Sequence, residues 1–192
     1  MRTSPATTDR PSRQPLAGGP RPGGAPGLAI VELDVESPTA RTLLAHAVAY
    51  LEACYQAAGG FAPLDPAAFA PPRGAFLVAR RGREAIGCGG LRDVPGERGS
   101  CELKRIWVEP EHRRRGVATA LVAALERRAA TLGYRRVVLS TGARQEAAVA
   151  CYVAAGYERI PGDLRYGGEV VTFEKRLVPS ASPPAGRGSR GA

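Results

Sequence analysis

From Leu28 onward the chain moves between two hydrophobic rhythms, a period of two and a period of three to four. Leu28 to Asp34 alternates as a half-buried strand does. Ser37-Pro38 then reads as an N-cap followed by proline at the first helical position. Leu44, Val48, Leu51 and Tyr55 follow at helical spacing, which predicts an amphipathic helix ending near Gly59-Gly60. Phe61 to Gly74 is proline-rich and predicts an irregular loop with a short helical turn near Ala67. Ala75–Arg80, Glu84–Leu91 and Cys101–Val108 read as three successive strands, separated by turns at Arg81-Gly82 and at 94–99. Val117, Leu121, Leu125 and Leu132 share one helical face, with Glu126 and Arg127 outside it, and Gly133 ends that helix. A valine-rich strand over Arg135–Ser140, a short helix over Gln145–Ala155 capped by Gly156, and strands at 157–160 and 169–177 complete the pattern.

The order is therefore β-α-β-β-β-α-β-α-β-β. A strand, a crossover helix and a further strand imply a local parallel pair, and hairpin-connected strands imply antiparallel ones. The fold class is α/β, a mixed sheet with helices on both faces.

Composition changes this picture mainly at the ends. Residues 1–27 and 179–192 are rich in Pro, Gly, Ser and Arg and hold little to bury, so both read as disordered tails around one domain over 28–178. The formal charge is +9, of which +3 falls in 1–27 and +2 in 178–192. A basic total can mark a nucleic-acid partner, but here much of it sits in the tails, and no nucleic acid is expected. No apolar run is long enough to span a membrane, and the N-terminus has no apolar signal region, so no membrane partner and a cytoplasmic location are expected. The four cysteines form no C-x-x-C pair and the two histidines lie near no cysteine cluster. That spacing favours reduced thiols and no metal.

One turn carries candidate chemistry. Arg113-Arg114-Arg115-Gly116-Val117-Ala118 joins a strand to a helix. The first N–H groups of a helix lack intrahelical partners and sit at the positive end of its dipole. Gly116 and Ala118 leave room for a phosphate to approach the backbone. Alone, such a turn serves an anion or simply faces solvent. Neither a Walker loop nor a G-x-G-x-x-G fingerprint is present.

Three separated features resemble the GNAT superfamily of N-acetyltransferases over nearly all of 28–177. They are Ile106-Trp107-Val108-Glu109-Pro110-Glu111-His112 followed by R-x-x-G-x-A; Arg135 to Gly142; and Gln145 to Tyr152 followed by Ala155-Gly156-Tyr157. The resemblance implies a central sheet of six to seven strands whose fourth and fifth members splay. It implies acetyl-CoA as cosubstrate. The arm of that molecule would lie along Ile106, Trp107 and Val108, its pyrophosphate at the amides and arginines of Arg113, Arg114, Arg115, Gly116, Val117, Ala118 and Thr119, with Gln145 near the arm. Tyr152 falls where the family places its usual proton donor, although a packed core tyrosine would look the same in sequence. Glu102, six residues before Val108, falls where histone-acetylating members place a base; a carboxylate partnering Lys104 or Arg105 on the sheet is the plainer role. Some members carry a working glutamate at the end of strand five, and this chain has Ser140 there. A strand-four N–H, near Val108, suits the oxyanion. His46, His112 and the Trp107 side chain are given no catalytic role.

The resemblance places the acceptor side at 51–74 and 161–168, and Arg73, Arg105 and Arg165 could pair with an acceptor carboxylate. This favours the primary amine of a small molecule, such as an amino acid or related metabolite. An acyl-CoA-binding sensor, a protein amine as acceptor and a nucleic-acid module on the tails are the rival readings. The resemblance also brings a homodimer into consideration, since the family commonly forms one.

Overall fold

A computed structural model describes residues 27–56, 64–161 and 170–178. The elements run β1 (Leu28–Glu32), α1 (Pro38–Tyr55), a 3₁₀ turn (Pro66–Phe69), β2 (Ala75–Arg81), β3 (Glu84–Asp93) and β4 (Ser100–Val108). A second 3₁₀ turn (Pro110–His112) follows, then α2 (Val117–Thr131), β5 (Arg136–Gly142), α3 (Glu146–Ala154), β6 (Glu158–Ile160) and β7 (Val170–Arg176). The expected order holds. Ser37 caps α1 by accepting from the Ala40 N–H, with Pro38 opening the helix. The helix ends earlier than its apolar spacing predicts. It stops at Tyr55 because Gln56 turns left-handed and closes the last turn onto Glu52, and Gly59-Gly60 lie outside the described residues. The expected tails, residues 57–63 and the acceptor segment 162–168 with Arg165 lie outside them too. Among the described residues, no helix is long and apolar enough to cross a membrane.

The seven strands form one sheet in the order β1-β2-β3-β4-β5-β7-β6, antiparallel throughout except for the parallel pair β4 and β5. Side-chain alternation divides the core in two. Leu77, Leu91, Leu103, Val137, Leu139 and Phe173 face α2 and α3. Phe76, Val78, Cys88 and Trp107 face α1 and the first 3₁₀ turn. Glu126 departs from the expected outward position: its carboxylate takes two hydrogen bonds from Lys175 Nζ, at 2.9 and 2.8 Å. Lys175 also donates to the Ala155 carbonyl at the end of α3. Helical periodicity carries no information about β7, whose lysine supplies the partner.

The parallel pair is short. It runs from Ser100 opposite Arg136 to Leu103 opposite Leu139 and stops, while β4 continues to Val108 and β5 to Gly142. The cause lies on the other edge of β4. Trp107 pairs with Cys88 but Lys104 with Gly90, so two β4 residues, Arg105 and Ile106, stand opposite the single residue Gly89. Arg105 takes a left-handed φ of 55° at that point. A bulge bends the strand that carries it and sharpens its twist, and here it turns the last third of β4 away from β5. The two arms leave a fork in the sheet.

Candidate active site around the sheet fork

The fork opens beside the start of α2. Gly116 precedes that helix with φ 77°, a conformation that favours glycine, and no side chain caps the helix there. Nothing approaches within 4 Å of where a Cβ on Gly116 would lie. The amides of Val117, Ala118 and Thr119 therefore begin an uncapped helix at an open surface, the arrangement that binds anions. Arg114 and Arg115 are exposed around it, and Arg114 also takes a left-handed φ of 56°.

Arg113 stands apart from its neighbours. Its Nε donates to the Val108 carbonyl at 3.0 Å. Its guanidinium lies 4.7 Å from the Tyr50 ring centre and 4.6 Å from that of Trp107. Trp107 points to the α1 face, and Tyr50 is on α1. The Arg113 side chain is thus engaged with α1 and β4, while Arg114 and Arg115 supply the exposed charge of the turn. On α1, one turn before Tyr50, His46 Nδ1 lies 2.8 Å from Glu109 Oε1, and His112 Nε2 lies 3.3 Å from Glu84 Oε1.

The backbone of the β4 arm has a defined polarity. The Glu109 N–H donates to the Ile86 carbonyl on β3. Because antiparallel strands point successive residues to alternate sides, the N–H and C=O of Val108 face the fork. Arg113 satisfies the carbonyl, and the N–H points into the opening. Ile106 and Val108 pack toward α2.

Tyr152, on α3, is 7% exposed and packs among Tyr157 and Phe173, with ring centres 6.0 and 5.9 Å away. Burial raises its phenol above the ordinary tyrosine value, and the neighbouring Cys151 adds to the effect. It remains a protonated O–H through the neutral range. Burial also raises the Cys151 thiol, while a hydrogen bond with Thr119 acts the other way. That contact ties α3 to the first turn of α2. Gln145 immediately precedes α3 rather than lying in it, and its N–H returns to the Gly142 carbonyl at 3.0 Å.

Glu102 lies on the opposite, α1-facing side, one residue before the last paired position of β4. Arg92, its cross-strand neighbour, donates to its Oε2 through Nε and an Nη at 2.9 and 2.7 Å, and Lys104 Nζ lies 2.8 Å from Oε1. Lys104 is the partner expected from sequence. Arg92 is not, because the hairpin register across 94–99 decides it. Arg105 sits in the bulge, where burial lowers its guanidinium pKa. Arg73, expected to meet an acceptor carboxylate, is paired with Asp93 and lies over the Tyr134 ring.

The α1 face of β4, β5 and β7 carries a row of polar side chains. Pairing places Glu102 beside Val138 and Val138 beside Glu174, then Ser140 beside Thr172 with 3.1 Å between their hydroxyl oxygens. Tyr50, Tyr55 and Arg92 carry no site signal in the sequence. Tyr55 appears there only as part of an apolar stripe, and each gains meaning through a partner distant in sequence. Among the described residues, no cluster of three or more His, Cys, Asp or Glu side chains gathers as a metal site would need.

A model of the Acetyltransferase (GNAT) family matches residues 40–157. N-acetyltransferase 8 of Rattus norvegicus is 37% identical over 87 residues, covering 44% of this chain and 39% of the relative. The chain thus spans well under half the length of that curated relative. A solved Klebsiella pneumoniae protein, provisionally named an acyl-CoA N-acyltransferase, superposes with TM-score 0.65 at 28% identity, covering 79% of this chain and 98% of its own. A GNAT family acetyltransferase of Elizabethkingia anophelis, solved with acetyl-CoA bound, gives TM-score 0.58 at 18% identity, covering 80% and 100%.

Proposed function

The chain belongs to the acetyltransferase (GNAT) family, and from that premise we propose that it moves an acetyl group from acetyl-CoA to the primary amine of a small molecule. The observation that carries the proposal is the fork between β4 and β5, open beside the uncapped start of α2. A phosphate-bearing thioester needs an anion site and, next to it, a slot with unpaired strand edges. These residues meet both needs.

The amides of Val117, Ala118 and Thr119, with Arg114 and Arg115, would hold the pyrophosphate. The β4 arm at Ile106–Val108, with Gln145 across the opening, would hold the pantetheine arm. Acetyl-CoA supplies an activated acyl group when bound. The protein then has three tasks. The Val108 N–H faces the fork and serves as the oxyanion donor. Tyr152 holds a proton that its burial keeps in place and delivers it to the leaving sulfur. Glu102 accepts the amine's proton, directly or through water, with Arg92 and Lys104 fixing its two oxygens. Arg113 is assigned a supporting part, holding the β4 arm through the Val108 carbonyl rather than binding phosphate itself.

A panel of small amines scored by release of free CoA, with acetyl-CoA as donor, tests the reading. Turnover with at least one amine is expected. Tight acetyl-CoA binding with no CoA release across the panel would overturn it in favour of a sensor.

A further inference from the structure

We infer that Tyr55 is a specificity-determining residue, the wall that limits the width of the acceptor's approach to the fork. The inference rests on the proposed acetyl transfer and adds the route by which the amine arrives.

The two faces of the sheet have different occupants. The α2 start and Tyr152 lie on one face. An amine that attacks a thioester held in the fork must come through from the other face, which is the α1 face. The last turns of α1 lie there and reach both arms. Tyr50 meets Trp107 of the β4 arm, with ring centres 5.2 Å apart. Tyr55 meets the β5 arm at Gly142, three residues beyond the end of strand pairing. The contact is intimate: the Tyr55 hydroxyl and Cζ occupy the space that a Cβ on Gly142 would need. The hydroxyl is buried. Arg144 extends over the same ring, 5.7 Å from its centre.

The polar row of Glu102, Ser140 and Thr172 leads up the α1 face toward the fork and to the contact between Gly142 and the Tyr55 phenol. In this reading the phenol admits a primary amine on a slim chain and excludes a wide group beside the nitrogen. Gly142 is the complementary half. Any side chain there would displace the phenol.

The test uses the full chain and a graded series of primary amines, from n-butylamine through phenethylamine to tryptamine. KM is measured for each amine and for acetyl-CoA, and the same amines are titrated calorimetrically into protein saturated with CoA. Tyr55→Ala is expected to lower KM for the aryl amines at least about 10-fold relative to n-butylamine, with the KM of acetyl-CoA within about 2-fold of its starting value. Gly142→Ala is expected to raise KM for every amine by about 10-fold, and Tyr55→Ala in that background to reverse the loss, as coupled neighbours do. Tyr55→Leu keeps apolar bulk without the phenol tip and serves if the alanine variant does not fold. An unchanged order of amine preference in a variant with normal melting and acetyl-CoA binding overturns the inference. The calorimetric series separates the two ideas. Binding selectivity that changes at Tyr55 without any CoA release would sink acetyl transfer and leave the wall standing; equal selectivity in both proteins would sink the wall.

Discussion

Arg113 donates through Nε to the carbonyl of Val108, five residues earlier in the chain, at 3.0 Å. The bond folds the turn before α2 back onto the strand arm that precedes it, and the same guanidinium lies against Tyr50 and Trp107. A hydrogen bond of about 1 kcal/mol and cation–π contacts of about 0.5–1 kcal/mol are lost in Arg113→Ala. The variant is expected to be destabilised by about 2 kcal/mol, with Tm lower by about 6 °C. Arg114→Ala and Arg115→Ala, whose side chains are exposed, should leave Tm nearly unchanged and raise the KM of acetyl-CoA several-fold. Thermal melting beside acetyl-CoA kinetics checks the division; equal Tm losses in all three would defeat it.

Tyr152→Phe keeps the ring packing against Tyr157 and Phe173 and removes only the O–H. A general acid contributes roughly 100-fold or more, so kcat should fall by about that factor while the KM of acetyl-CoA moves little. Because burial raises the phenol pKa, its deprotonation should put no falling limb on the kcat profile below about pH 10. A kcat equal to that of the unaltered protein removes Tyr152 from the mechanism.

Glu102→Gln removes the acceptor charge while keeping shape and one hydrogen-bonding oxygen. kcat/KM is expected to drop about 100-fold. Arg92→Ala, which unties one carboxylate oxygen, should change kcat less than Glu102→Gln does. An unchanged kcat/KM in the glutamine variant would leave Glu102 as an ion-pair partner only.

Acid stability should depend on Asp93. Its hydrogen bond from Arg73 holds the carboxyl below its ordinary value, against an opposing effect of burial. A depressed folded pKa contributes stability that is fully present above the unfolded value of about 3.9 and is lost as pH falls through the lower folded value. Melting curves between pH 7 and pH 2.5 should therefore fall less steeply below pH 4 for Asp93→Asn than for the unaltered chain. Parallel curves would contradict the assignment.

The thiols should divide into two pairs. Cys88 and Cys101 are buried, and burial pushes Cys101 up to about 12 and Cys88 higher still. Cys54 and Cys151 are partly exposed. A thiol reacts as the thiolate, so a disulfide reagent should label two groups in the native protein and four in denaturant. Rapid labelling of all four in the native state would show that the sheet core opens.

Much of this architecture was legible in the residue pattern because each element carries its own local signal. Ser37-Pro38 marks a helix start whatever lies around it, and Gly116 marks a left-handed residue before α2. The fork was implied only by resemblance to a family, since its physical cause is invisible locally: nothing in the side chain of Arg105 announces a φ of 55°, and the bulge exists only relative to β3. One partner of Glu102 and the partner of Glu126 are not legible for a related reason. Arg92 and Lys175 are brought to them by strand register and sheet order, which periodicity does not encode.

The β4 bulge separates the shape of the sheet from its chemistry. On the Asp93–Gly90 side β4 pairs with one offset, and on the Cys88–Gly87 side with an offset larger by a single residue. Deleting Arg105 would merge the two into one continuous register. Trp107 would still face α1, and Val108 would still face α2. Only the bend would vanish, and with it the parting of β4 from β5. The fork is thus a removable feature: a single codon lost at this position would leave a sheet with an intact interior and no opening between β4 and β5.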